Sequence, residues 1–131
     1  MADAQTRFRT DQVPNMAAVL QAPPEMDAIT RHHYKNLATG NEYRHEDGSG
    51  RVSTVHTIQV EIDGKPTLIP TVWDGEIIED EKEATRRAIA SGKNWPQRAT
   101  HAELRKFDKI IHKNMKPISA KEAQNILDQS R

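Results

Sequence analysis

Two Asp-Gly dipeptides, Asp63-Gly64 and Asp74-Gly75, constrain the fold of this chain more than any other feature. A two-residue type I′ turn needs positive φ at both central positions, which Asp tolerates and Gly adopts without steric penalty, and its twist matches that of the strands it joins. Ahead of the first dipeptide, the even positions of 52–62 are Val52, Thr54, His56, Ile58, Val60 and Ile62. The odd positions carry Ser53, Thr57, Gln59 and Glu61, with Val55 as the exception. Alternation of period two predicts a strand with one buried face, and places His56 on that face as a hydrogen-bonded core histidine. A second strand over 67–73 returns antiparallel, with Pro70 consigning it to an edge or a bulge because proline has no amide to donate. Asp74-Gly75 then turns the chain into a short third strand over 76–78. The expected unit is a small antiparallel β-meander over about 52–78.

Helices are expected on both sides of these strands. Met26, Ile29, His33 and Leu37 recur at helical spacing with Gly40 as terminator, predicting a helix over 25–37. The polar stretch 41–50, ending Glu46-Asp47-Gly48-Ser49-Gly50, reads as a loop. Behind the strands stand Asp80 with Glu83, Thr100 with Glu103, and Ser119 with Glu122. Each pairs an N-cap oxygen with a glutamate three residues on, the pattern of a capping box. The first of these helices, over 81–91, carries Ala84, Ala88 and Ile89 and stops at Gly92. The second carries Leu104, Phe107 and Ile111, flanked by Ile110 and Met115, and stops near Pro117. The third carries Ala123, Ile126 and Leu127. The expected class is α+β: a meander followed by two or three α-helices, with an extended N-terminal arm. The chain divides into an arm over 1–24, an α+β domain over 25–116 and a C-terminal helix over 117–131.

Composition narrows the function. Nineteen Lys and Arg balance nineteen Asp and Glu among 131 residues, and the chain has no cysteine. There is thus no disulfide, no thiolate nucleophile and no cysteine-based zinc site. A mean hydropathy of -0.83 argues against membrane spanning. Residues 1–10 hold no apolar core of a secretory signal, so none is expected. The arm has one apolar patch, at Met16 to Leu20, too small to repay its own ordering. It reads either as a disordered tail or as an arm that docks on a partner, and we take the arm.

Reactive constellations are not apparent. His32 and His33 with Tyr34 form the obvious histidine cluster, but neighbours on a helix point about 100° apart and do not readily share one ion. His112 follows Asp108 by four residues, the spacing of a surface pair. The acidic residues Asp74, Glu76, Glu79, Asp80, Glu81 and Glu83 read as a turn and a helix N-terminus rather than a carboxylate dyad. The six glycines are scattered among turns rather than gathered into a phosphate loop. No catalytic residue, metal site or cofactor is expected. From residue 100 onward seven cations face four carboxylates, and Arg105, Lys109 and Lys113 fall on one helical stripe. That stripe is the feature an alternative, nucleic-acid-associated role would use.

A resemblance adds to this reading. Glu46-Asp47-Gly48-Ser49, Ser53-Thr54-Val55, Asp63-Gly64-Lys65, Leu68-Ile69-Pro70-Thr71-Val72, Asp74-Gly75, Glu83-Ala84 and Ser91-Gly92-Lys93 together resemble a short module of tailed-bacteriophage virion proteins. Ile111-His112 matches its closing Leu-His-like pair, so the resemblance spans roughly 36–112. It implies a non-enzymatic tail, neck or internal ejection-associated protein, made in the host cytoplasm and residing in the virion. It also implies partners among other virion proteins, or copies of the chain within a symmetric assembly. The module occurs inside larger proteins with lytic domains as well, so an accessory of cell-wall penetration is a further alternative, with Glu46, Asp47 and Asp63 as its testable carboxylates. This chain departs from the pattern at Gly50-Arg51, at Trp95-Pro96, and by its arm and final helix. Partner contacts are accordingly expected at Met16, Val19, Leu20, Trp95, Ile126 and Leu127.

Overall fold

The computed structural model describes residues 26–130, so the arm and its Met16, Val19 and Leu20 lie outside the described residues. Helix α1 (Ala28–Thr39) leads into β1 (Tyr43–Arg44), β2 (Val52–Ser53), β3 (Ile58–Ile62), β4 (Lys65–Ile69), β5 (Val72–Trp73) and β6 (Glu76–Ile77). Three helices follow: α2 (Glu81–Ala90), α3 (His101–Asn114) and α4 (Ala120–Gln129). The class is α+β, and the strands pair antiparallel as three two-stranded ladders: β1 with β2, β3 with β4, and β5 with β6.

Both Asp-Gly turns form as the dipeptides dictate. Asp63 and Gly64 have φ of 55° and 75°, and Asp74 and Gly75 have 53° and 82°. Each leaves two residues between paired positions, Ile62 with Lys65 and Trp73 with Glu76. Pro70 ends β4 rather than sitting within it. Immediately after it, Thr71 and Val72 donate their amides to the Val55 carbonyl, at 2.8 and 3.3 Å. Val55 is therefore drawn inward and buried.

That inward pull corrects the long first strand. The run 52–62 is broken between β2 and β3, and His56 takes a positive φ of 43°. His56 is exposed, not a core residue, although its Nδ1 does meet the Thr71 hydroxyl at 3.0 Å. Val52 is likewise 38% exposed. Val55, the exception to the alternation, packs inward, while β3 keeps the expected face: Val60 is buried and Ile58 and Ile62 pack against the core.

The core gathers around β4, whose Leu68 and Ile69 are fully buried. Helices α2 and α3 lie against this strand. Ala84 and Ala88 of α2 and Leu104 and Ile111 of α3 join Ile29, Val60 and Trp95 in the same cluster. Small side chains on α2 let its backbone approach closely, which leaves Ile89, one position round the helix, 57% exposed rather than on the buried stripe. The segment after α2 runs along β4, with Leu68 donating to Pro96 at 2.9 Å and Arg98 to Pro66 at 3.2 Å.

Caps define the helices. Asp27 accepts from the Thr30 amide at 2.9 Å, and Gly40, at φ 73°, closes α1. Asp80 and Thr100 cap with single bonds, to Lys82 and Glu103 respectively. Only Ser119 and Glu122 bond reciprocally, so one of the three expected capping boxes is complete. Glu83 instead turns to Arg86 and Arg87, the latter at 2.9 Å, and these guanidiniums lower its carboxyl to a pKa of about 2. Helix α4 packs on α1 through the fully buried Ala123.

Candidate functional site

Among the described residues, a cleft of about 470 Å3 opens between α1, the β5–β6 turn and the segment following α2. A volume of this order lies in the range of small-ligand and peptide-anchor sites. The first wall is one face of α1, where Ala28, Arg31, His32, Lys35, Asn36 and Thr39 follow at three- and four-residue spacing. Trp73 and Asp74 supply the second wall, and Ser91, Lys93 and Trp95 the third.

Three rings form the floor. His32 lies 4.7 Å from Trp73 and 5.9 Å from Trp95, and the two indoles are 6.3 Å apart. All three pairs meet edge to face, at 60° to 81°. The donated N–H of each ring is spent internally. His32 Nε2 donates to the Val72 carbonyl at 2.7 Å, Trp73 Nε1 to Pro70 at 3.2 Å and Trp95 Nε1 to Ala88 at 2.8 Å. What the indoles turn to the cleft is therefore apolar surface on a fixed frame.

Cations ring this floor. Burial is the main force holding the His32 imidazole below its ordinary pKa; the Val72 hydrogen bond opposes it, and the nearby charges of Lys35 and Lys93 reinforce it. Neither lysine has a carboxylate partner among the described residues. The one carboxylate lining the cleft, Asp74, faces Arg87 at 3.6 Å. Glu42, next to the lining residue Asn41, faces Arg44 at 3.8 Å.

His33 looks the other way. Its Nδ1 meets the Thr54 hydroxyl at 2.6 Å and its Nε2 donates to the Lys116 carbonyl at 3.0 Å, with Tyr34 against its ring. It ties α1 to the chain just ahead of α4, and burial lowers its pKa despite the Lys116 hydrogen bond. The neighbouring Asn36 donates to the Thr54 carbonyl at 2.7 Å. The remaining histidines are engaged elsewhere: His45 with Ser53, His56 with Thr71, His101 with Gln59 and Glu61, and His112 with Asp108 at 3.0 Å and Thr57 at 3.2 Å. Among the described residues no three metal-ligating side chains converge.

Trp95 is 8% exposed and belongs to the core, with one side lining the cleft. Ile126 and Leu127 are half-buried on α4, away from the residues that line the cleft. His32, Lys35, Trp73 and Lys93 carry the cleft, and although His32 stands in the histidine cluster and Lys93 in the Ser91-Gly92-Lys93 run, no sequence motif joins them. The usable signal was scarcity: the chain has only two tryptophans, and both line this one concavity. A second surface is the solvent side of α3, where Arg105, Lys106, Lys109 and Lys113 are exposed with no ion pair among the described residues. Ile110, 59% exposed, borders it. No helix of the described residues is long and apolar enough to cross a membrane.

In comparisons with known proteins, no family model, no curated protein and no solved structure matches the chain.

Proposed function

We propose that this chain is a non-enzymatic structural or accessory protein of a tailed-bacteriophage particle, docking on other virion proteins at the tail, the neck or inside the head. The observation that carries the reading is the use to which the module-like residues are put. Asp63-Gly64 and Asp74-Gly75 make the turns, Pro70 separates β4 from β5, and Leu68, Ile69, Val72 and Ala84 fill the core. A pattern spent on scaffold suits a domain that presents surfaces to neighbours. Asp47, one of the carboxylates a lytic accessory would need, is held ionised by Ser49 and Arg51 within its own loop. Bonds that favour the ionised form disfavour a role for Asp47 as proton donor. The test is quantitative mass spectrometry of purified particles before and after genome release. The chain is expected in the particle at a copy number set by its symmetry; absence from particles overturns the reading.

A second reading is favoured by the exposed cations of α3, which have no ion pair among the described residues and suit contact with a phosphate backbone. It predicts DNA binding that collapses as salt rises. A titration showing no binding even at low salt removes it.

A further inference from the structure

We infer that the cleft between α1, the β5–β6 turn and the 91–95 segment is a docking site for an acidic peptide segment of a partner protein. An apolar side chain of that segment enters over Trp73 and Trp95, and flanking carboxylates meet Lys35 and Lys93. The inference rests on the docking role proposed above and names the chemistry of one contact.

Charge decides the sign of the occupant. Lys35 on α1 and Lys93 beyond α2 stand on opposite walls without carboxylate partners among the described residues, and Asp74 is turned to Arg87. Two uncompensated ammonium groups across an apolar floor favour an anion with an apolar body. Ring geometry decides the kind of anion. The three rings pack edge to face against one another, so there is no parallel pair between which a nucleobase could be sandwiched. Their N–H groups are occupied by backbone carbonyls, leaving no indole donor to read a base edge. An aliphatic side chain needs only the shape and the apolar surface, and carboxylates need only the two lysines.

The molecule carries its own probe, because both of its tryptophans line the cleft. The full chain is titrated with a blocked pentapeptide in which leucine stands between glutamates, with its lysine-for-glutamate counterpart, and with adenosine monophosphate. The acidic peptide is expected to shift tryptophan emission saturably, the basic one not to. Salt should weaken the binding, and a Lys35→Glu, Lys93→Glu double variant should weaken it about tenfold. Both lysines are exposed, so the variant keeps its fold, which circular dichroism verifies. No emission change with the acidic peptide, unchanged affinity in the double variant, or a response to the nucleotide alone each overturns the assignment. Particle analysis separates the two proposals. Specific peptide binding by a chain absent from particles supports the cleft and sinks the virion role; a chain present in particles but indifferent to the peptide does the reverse.

Discussion

At the scale of single residues, the two adjacent histidines of α1 do opposite jobs. His32 turns to the cleft and His33 to the Thr54 hydroxyl and the Lys116 carbonyl. Burial lowers both pKa values from the ordinary 6.5, so the unfolded chain takes up protons first as pH falls. Their contribution is complete above about pH 6.5 and is lost progressively as pH drops toward the depressed folded values. The urea midpoint should therefore fall between about pH 7 and about pH 5, with a shallower fall in His33→Gln, which cannot titrate. A midpoint that stays level, or rises, contradicts this. The Asp47 and Glu83 carboxyls are lowered as well, but their contribution is intact throughout this window and is lost only at more acidic pH, below the ordinary carboxylate range. Gly64 supplies a different residue-scale test. At φ 75° with no atom within 4 Å of an added Cβ, Gly64→Ala meets no clash and costs only backbone strain. About 1–2 kcal/mol is expected, read by chemical denaturation; a neutral result would mean the turn rearranges readily.

Elements show which parts of the fold local sequence can carry. The Asp-Gly turns and α1 form where spacing put them, because a turn or a cap is decided within four residues. The break between β2 and β3 was not legible, since hydrogen bonds from Thr71 and Val72, distant in sequence, pull Val55 inward against the alternation. The cleft was hidden for the same reason: its walls come from residues near 31, 73 and 93, joined only by the packing of α1 against the β5–β6 turn. Capping chemistry shows the limit of a four-residue motif. Thr100/Glu103 and Ser119/Glu122 match equally in sequence, but only the second closes in both directions. Both glutamates sit at the same position in the helix dipole, so Glu122→Ala and Glu103→Ala should differ by the returning hydrogen bonds that Glu122 Oε1 accepts from the Ser119 amide and hydroxyl, at 3.2 and 3.1 Å. Glu122→Ala is expected to be more destabilising by about 0.5 kcal/mol, measured as urea midpoints. Equal effects would show that the reciprocal bond contributes nothing beyond the dipole.

Across the whole molecule, the question is whether α4 shares the core's cooperativity. It follows a short connection through Pro117 and has one buried residue, Ala123, but three features bind it in. Its N-terminus carries the only complete capping box among the described residues, it packs along α1, and His33 holds the Lys116 carbonyl just ahead of it. Helix α1 in turn places Ile29 in the central cluster with Leu68 and Leu104, and His32 against both tryptophans. Loss of α4 would therefore uncover α1, and disturbance of α1 would reach the indoles. Such linkage predicts one transition: urea unfolding followed by tryptophan emission and by far-UV circular dichroism should give coincident midpoints. Ala123→Asp, which forces a charge into the α1–α4 contact, should lower both midpoints together. An early loss of helical signal with tryptophan emission unchanged would instead mean that α4 melts alone, and that the surface it covers on α1 is open to a partner in the native protein.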